Sequence, residues 1–180
     1  MRADAKKNYD RLLAIAREAV IEHGADASLR DIARRAEVGM GTLYRHFPTR
    51  EALLEALLST DLDALTEKAK QLQATTSPAD ALATWFREGV AFTRTFGGVV
   101  DLMASALDDH DSALHASCTA VRSAGALLLE RAQEAGAART DIDGIDLFAL
   151  MASLAWLGDQ PAFASRVDRL SETIANTILA

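Results

Sequence analysis

Apolar residues recur at three- and four-residue steps through nearly the whole chain, and strand-like alternation is scarce. Tyr9, Leu12, Leu13, Ala16, Ala19 and Val20 form one stripe. Leu53, Leu54, Leu57, Leu58, Leu62 and Leu65 form a second, and Phe163, Val167, Leu170, Ile174 and Ile178 a third. Only 3 prolines interrupt the 180 residues, so the pattern commits the chain to helices joined by short connections. The expected fold class is all-α.

Local signals set the expected boundaries. A first helix over about 6–23 ends at Gly24, a natural C-cap. Ser28-Leu29-Arg30-Asp31 resembles a capping box with Asp in place of Glu, opening a second helix with Ile32, Ala33 and Ala36 inward. After Glu37-Val38-Gly39, a third short helix covers about 40–46 and stops before Phe47-Pro48. Thr49 caps a long helix over about 50–72, which joins residues 1–50 to a larger unit over 51–180. Further helices are expected at about 79–96, 99–108, 112–135, 145–157 and 162–179, the breaks falling at Gly97-Gly98, Asp108-Asp109-His110-Asp111 and Gly158-Asp159-Gln160-Pro161.

A net charge of −7 argues by itself against a nucleic-acid binder. Its distribution reverses that conclusion. Residues 1–50 hold 10 Lys and Arg against 7 Asp and Glu, net +3, whereas residues 51–180 are net −10. The basic third is also where two short helices flank a tight turn carrying one apolar residue, Val38, the pattern of a helix-turn-helix. Such a unit lays its second helix in the major groove, about 12 Å wide, where exposed side chains reach base edges and the helix ends meet phosphates.

The run Leu29-Arg30-Asp31-Ile32-Ala33-Arg34-Arg35-Ala36-Glu37-Val38-Gly39-Met40-Gly41-Thr42-Leu43-Tyr44-Arg45-His46-Phe47 resembles the signature of the TetR family of regulators, and Arg50-Glu51-Ala52-Leu53-Leu54 continues it. The resemblance covers about residues 6–55; beyond that only size and helix pattern match. It implies a three-helix DNA-binding head, a C-terminal effector-binding and dimerisation domain, and release of a palindromic operator when a small molecule binds. By the same resemblance Met40, Gly41, Thr42 and Arg45 face bases, Arg30 reaches a base from the preceding helix, and Tyr44, His46 and Arg50 hold phosphates. Arg45 is the side chain best suited to a bidentate guanine contact. Two positions depart from the family pattern. Glu37 replaces a turn glycine, at a cost of about 1 kcal/mol if its backbone is left-handed, and Gly39-Met40 replaces Ser-Lys, leaving Met40 to meet a thymine methyl. On the residues alone His46 is equally a helix C-terminal histidine stabilised by the dipole, and Leu43 and Phe47 are core.

In the larger unit Trp85, Phe92, Phe96, Met103 and Leu128 are candidate walls of a pocket for an apolar effector, and equally candidates for plain core. Phe148, Ala152, Ala155, Phe163, Val167, Leu170, Ile174 and Ile178 are candidates for a four-helix homodimer interface, against the alternative of a hairpin buried within one chain. No cofactor is expected. Asp111, His115 and Cys118, at i, i+4 and i+7 of one expected helix, offer a possible zinc or copper site or a redox cysteine.

Neither GxSxG, nor a glycine-rich phosphate loop, nor HExxH occurs, so an enzyme is not expected; a protein-binding helical adaptor is the alternative class. The absence of a long apolar run and of an apolar leader in MRADAKKNYDR points to a cytoplasmic protein without a membrane partner.

Overall fold

The computed structural model describes residues 2–179, with side chains from residue 6 onward. Among these residues the chain forms α1 (Arg2–His23), α2 (Leu29–Arg35), α3 (Met40–His46), α4 (Arg50–Thr75), α5 (Pro78–Thr95), α6 (Val100–Asp108), α7 (His115–Glu134), α8 (Gly144–Asp159), a 3-10 turn (Ala164–Arg166) and α9 (Val167–Ile178). The all-α reading holds. The only β pairing described is an isolated bridge between Ala138 and Leu179, which pins the end of α9 to the α7–α8 connection.

Helices α1 to α3 form the head. Gly24 ends α1 at φ +72°, donating to the Val20 carbonyl at 2.8 Å. Ser28 caps α2 by accepting from the Asp31 amide at 3.3 Å. The expected reciprocal half of that box is missing, because the Asp31 carboxylate is drawn to Arg34, which holds it below the usual carboxylate range. A complete box occurs instead at Asp143 and Asp146, at the start of α8.

The 26-residue α4 spans roughly 39 Å at 1.5 Å per residue. Its first turns pack on α1 and its remainder on α5 and α7, with Leu53, Leu58 and Leu62 fully buried along one side. Trp85 of α5 fills the centre and donates its indole N–H to the Leu65 carbonyl at 3.0 Å. It fits because α7 presents Gly125 there: a Cβ at that position would stand 2.4 Å from the indole ring.

Two helix starts differ from expectation. Helix α7 begins at His115 rather than near 112, because side chains compete for the amides a helix would use: Asp109 accepts from the Asp111 amide (3.0 Å) and Ser112 from that of Leu114 (3.2 Å). The last helix, expected from 162, begins at Val167. The amides of Phe163 and Ala164 both close on the Gln160 carbonyl at 2.9 Å, and one tight turn intervenes.

Candidate DNA-binding head and effector cavity

Leu43 and Phe47 anchor α3, both being buried in the core. Tyr9 stacks on Phe47 with ring centroids 5.1 Å apart, and the His46 ring meets the edge of Tyr9 at 5.8 Å. His46 is therefore half-buried by aromatic packing at the C-terminal end of α3. Gly41 and Arg45 are exposed, Tyr44 is 47% exposed, and Thr42 and Met40 are half-buried, with Met40 leaning on the core.

The turn before α3 is strained as expected. Glu37 is the only non-glycine residue with positive φ (+55°) among those described, and its carboxylate pairs with Arg11 of α1 at 2.5 Å. That conformation delivers the Val38 amide to the Ala33 carbonyl at 3.0 Å, which fixes the angle between α2 and α3.

The head's arginines divide into two groups. Arg34 pairs with Asp31, Arg35 with Glu18 (2.8 Å) and Glu22 (3.1 Å), and Arg17 with Asp61. Arg30 and Arg45, both exposed and both expected at the DNA face from the family resemblance, have no ion-pair partner among the described residues. Their charge is available to an anionic polymer. Arg50 stands elsewhere than at an open surface: its Nη1 donates to the carbonyls of Ala25 (2.9 Å) and Ala27 (2.6 Å), stapling the start of α4 to the α1–α2 turn. Sequence reasoning missed this role, since a carbonyl acceptor leaves no mark on side-chain identity.

In the larger unit a cavity of about 30 Å³ lies between Leu65 of α4, Phe92 of α5, Met103 of α6, Val121 of α7 and Phe148 of α8. It has no charged lining residue. Its one hydroxyl, on Thr93, turns back onto the carbonyls of Val90 (2.9 Å) and Gly89 (3.2 Å) of its own helix. Of the expected pocket residues, Phe92 and Met103 line this space. Trp85, Phe96 and Leu128 do not: each is 1% exposed and packed in closed core. Helical period alone does not separate a wall with a void beside it from one without.

Part of the expected dimer face is covered within the chain. Ala155, Val167 and Ile178 are buried within the chain, and Leu170 and Ile174 are half-buried against the core, because α9 turns its apolar stripe inward onto α5 and α8. Phe148 and Ala152 line the cavity. The apolar groups left outside are Ile145 (66% exposed) and Trp156 (55%) of α8, Leu127 (51%) of α7 and Phe163 (45%).

The Asp111, His115 and Cys118 grouping dissolves as well. Asp111 precedes α7, Cys118 is fully buried, and no metal-binding group of three or more such side chains occurs among the described residues. Burial pushes the Cys118 thiol up to about 11, far from a reactive thiolate. His115 meets the Ala106 carbonyl through Nδ1 (2.9 Å) and His110 through Nε2 (3.1 Å).

Comparison with known proteins agrees with this architecture. Residues 12–57 match the family described as bacterial regulatory proteins, tetR family, and residues 77–176 match the C-terminal domain of SbtR-like transcriptional regulators. The HTH-type transcriptional regulator SAUSA300_2515 of Staphylococcus aureus (strain USA300) is 39% identical over 74 residues, 41% of this chain and 40% of that protein. The match thus spans less than half the length of such curated relatives. Solved structures extend it. The TetR regulator SCO0520 of Streptomyces coelicolor is 34% identical, covering 94% of this chain and 97% of that one, with a TM-score of 0.67. A TetR regulatory protein of Mycobacterium vanbaalenii is 31% identical over 99% of both chains, with a TM-score of 0.64. RolR in complex with its ligand resorcinol shares the fold at 19% identity and a TM-score of 0.66, covering 99% of this chain and 90% of that one. Both parts of the sequence match this family and two solved members align over nearly their full lengths, so this chain belongs to the TetR family of DNA-binding transcriptional regulators.

Proposed function

We propose that the protein is a cytoplasmic repressor that binds a palindromic operator as a homodimer and releases it when a small uncharged, apolar effector enters the cavity beneath α4. The observation that carries this reading is the pairing of two features in one chain. The α2–α3 face presents Arg30 and Arg45 without acidic partners among the described residues, and the C-terminal helices surround a space walled by apolar side chains.

The lining sets the effector class. A charged group buried there would meet no counter-ion, and an unpaired polar group costs roughly 1–3 kcal/mol, so the ligand must be neutral and mostly hydrocarbon or aromatic. The cavity of about 30 Å³ is smaller than any such molecule. Binding must therefore enlarge it, with the flexible Met103 and Met151 giving way first. RolR, a protein of the same fold, holds resorcinol.

The exposed apolar positions favour a dimer seam along the outer side of α8, where Ile145, Ala149 and Trp156 recur at four- and seven-residue steps. Two copies joined there would present two recognition helices to successive turns of one DNA face, a separation of about 34–36 Å or a multiple of it.

The deciding experiment is selection of bound duplexes from a random pool by the full chain, followed by thermal-shift screening with neutral aromatic compounds. A palindromic consensus, lost on adding a compound that raises the melting temperature, is the expected result. Failure to enrich any duplex, with binding insensitive to salt, would leave a protein-binding adaptor instead.

A further inference from the structure

The cavity and the DNA-binding head meet at one small piece of chain, the turn between α5 and α6. Phe92, in the cavity wall, packs edge-on against Phe96 one helical turn later, with centroids 5.6 Å apart. Phe96 is fully buried although it ends α5, because α1 covers it: the Arg17 guanidinium lies over its ring at 5.3 Å. Arg17 also pairs with Asp61 of α4, so the same cation ties α1, α4 and α5 together.

The next residue makes a backbone link to the head. The Gly97 carbonyl accepts from the Ala25 amide at 3.0 Å, and the approach is so close that a Cβ on Gly24 would stand 3.2 Å from that oxygen. Ala25 lies in the α1–α2 turn, and its carbonyl is one of the two that Arg50 grips at the start of α4. On the far side, Gly98 donates its amide to Asp159, the last residue of α8, at 3.1 Å. The turn is thus held by α8, which walls the cavity, and itself holds the α1–α2 turn, from which α2 and α3 follow.

We infer that Phe96-Gly97-Gly98 is the element that carries the state of the cavity to the DNA-binding head, with Phe92, Phe96 and Arg17 as its side-chain line and Gly97 to Ala25 as its backbone line. This rests on the proposed effector role of the cavity. Enlarging a space of about 30 Å³ displaces Phe92. Phe96 then shifts beneath Arg17, the Gly97 carbonyl moves off the Ala25 amide, and α1 and α2 lose their fixed setting relative to α4. Close-packed groups switch between arrangements rather than absorb such a shift gradually.

The test needs no knowledge of the effector. Val121→Phe adds more volume than the cavity holds and pushes on its walls as a ligand would; Val121→Ile adds one methylene, which the cavity accommodates, and serves as the control. Phe96→Leu shortens the link. Amide hydrogen exchange on the full chain reads Ala25 against Val38, whose amide bonds Ala33 within the head. In Val121→Phe the Ala25 amide should exchange at least fivefold faster with Val38 unchanged; in Val121→Ile neither should move.

With Phe96→Leu also present, Val121→Phe should no longer change the Ala25 rate. Affinity for the duplex that the wild type selects from a random pool should follow the same pattern, with a tenfold loss in Val121→Phe and less than twofold in the Phe96→Leu background. Equal responses in both backgrounds, an Ala25 amide that does not respond, or Val38 accelerating together with Ala25 would each overturn the inference. If the wild type selects no duplex, the DNA-binding reading of the head fails and the exchange comparison alone decides the relay. Should Val121→Phe not fold by circular dichroism, Met103→Trp overfills the same space from α6 and is read in the same way.

Discussion

Arg50→Ala should remove a structural staple as well as the proposed phosphate contact. In the DNA-free protein Arg50 donates to the carbonyls of Ala25 and Ala27 at 2.9 and 2.6 Å, and truncation leaves both acceptors in a half-buried turn without their donor. A hydrogen bond from a charged donor contributes about 1.5–3 kcal/mol net. Here one nitrogen serves two acceptors at a site water partly reaches, so about 2 kcal/mol for the pair is the expected loss. In a chain of this length each kcal/mol moves the midpoint by about 2–4 °C, giving a fall of about 4–8 °C. The assay is thermal and urea unfolding of the full chain without DNA. Operator affinity across a salt series runs beside it, where a lost phosphate contact makes the slope shallower by about one ion. Arg50→Lys separates the two roles: its ammonium keeps the salt slope but lacks the planar fork, so the loss of stability persists. An unchanged unfolding midpoint in Arg50→Ala would refute the staple, and an unchanged salt slope would refute the phosphate contact.

Arg45→Ala should weaken operator binding by about 1–3 kcal/mol and relax preference at one base pair, as loss of a bidentate base contact does; an equal loss on every duplex would make Arg45 a phosphate contact. Glu37→Gly should stabilise the chain to urea by about 0.5–1 kcal/mol, because a left-handed position costs an L side chain more than the exposed ion pair with Arg11 returns. A loss of stability would show that the ion pair outweighs the strain. Cys118 should resist iodoacetamide at neutral pH until the chain unfolds. Because burial raises its folded value to about 11, from the ordinary 9.0, its contribution is fully present below pH 9 and lost as pH rises through about 11. Replacing it with Ala should flatten the fall in stability over that window, and a steep fall in the variant would assign it to other groups. Trp156→Glu, at an exposed position of α8, should yield a folded monomer in light scattering, whereas a persisting dimer would move the seam elsewhere.

The helices, their order and the helix-turn-helix were legible because each rests on local chemistry: an apolar stripe of period 3.6, a capping side chain, a glycine where φ turns positive. The Glu37 strain was legible for the same reason, since a turn of that length needs a left-handed residue whichever side chain stands there. What was not legible depended on partners distant in sequence. The stripe Val167, Leu170, Ile174 and Ile178 states that one side of α9 is covered, and nothing in its spacing says by what; the packing of α9 onto α5 and α8 shows that this chain covers Val167 and Ile178 fully and Leu170 and Ile174 in part. Phe92 and Phe96 lie one helical turn apart with the same side chain, yet one borders a cavity and the other is sealed beneath Arg17. The phosphate role of Arg50 follows from the family resemblance, whereas its grip on the Ala25 and Ala27 carbonyls leaves no mark in the sequence. The sequence by itself determined where the backbone turns and which sides must be covered, both being properties of neighbouring residues. The tertiary structure decided what covers them, because packing joins residues whose spacing along the chain carries no information about their distance in space.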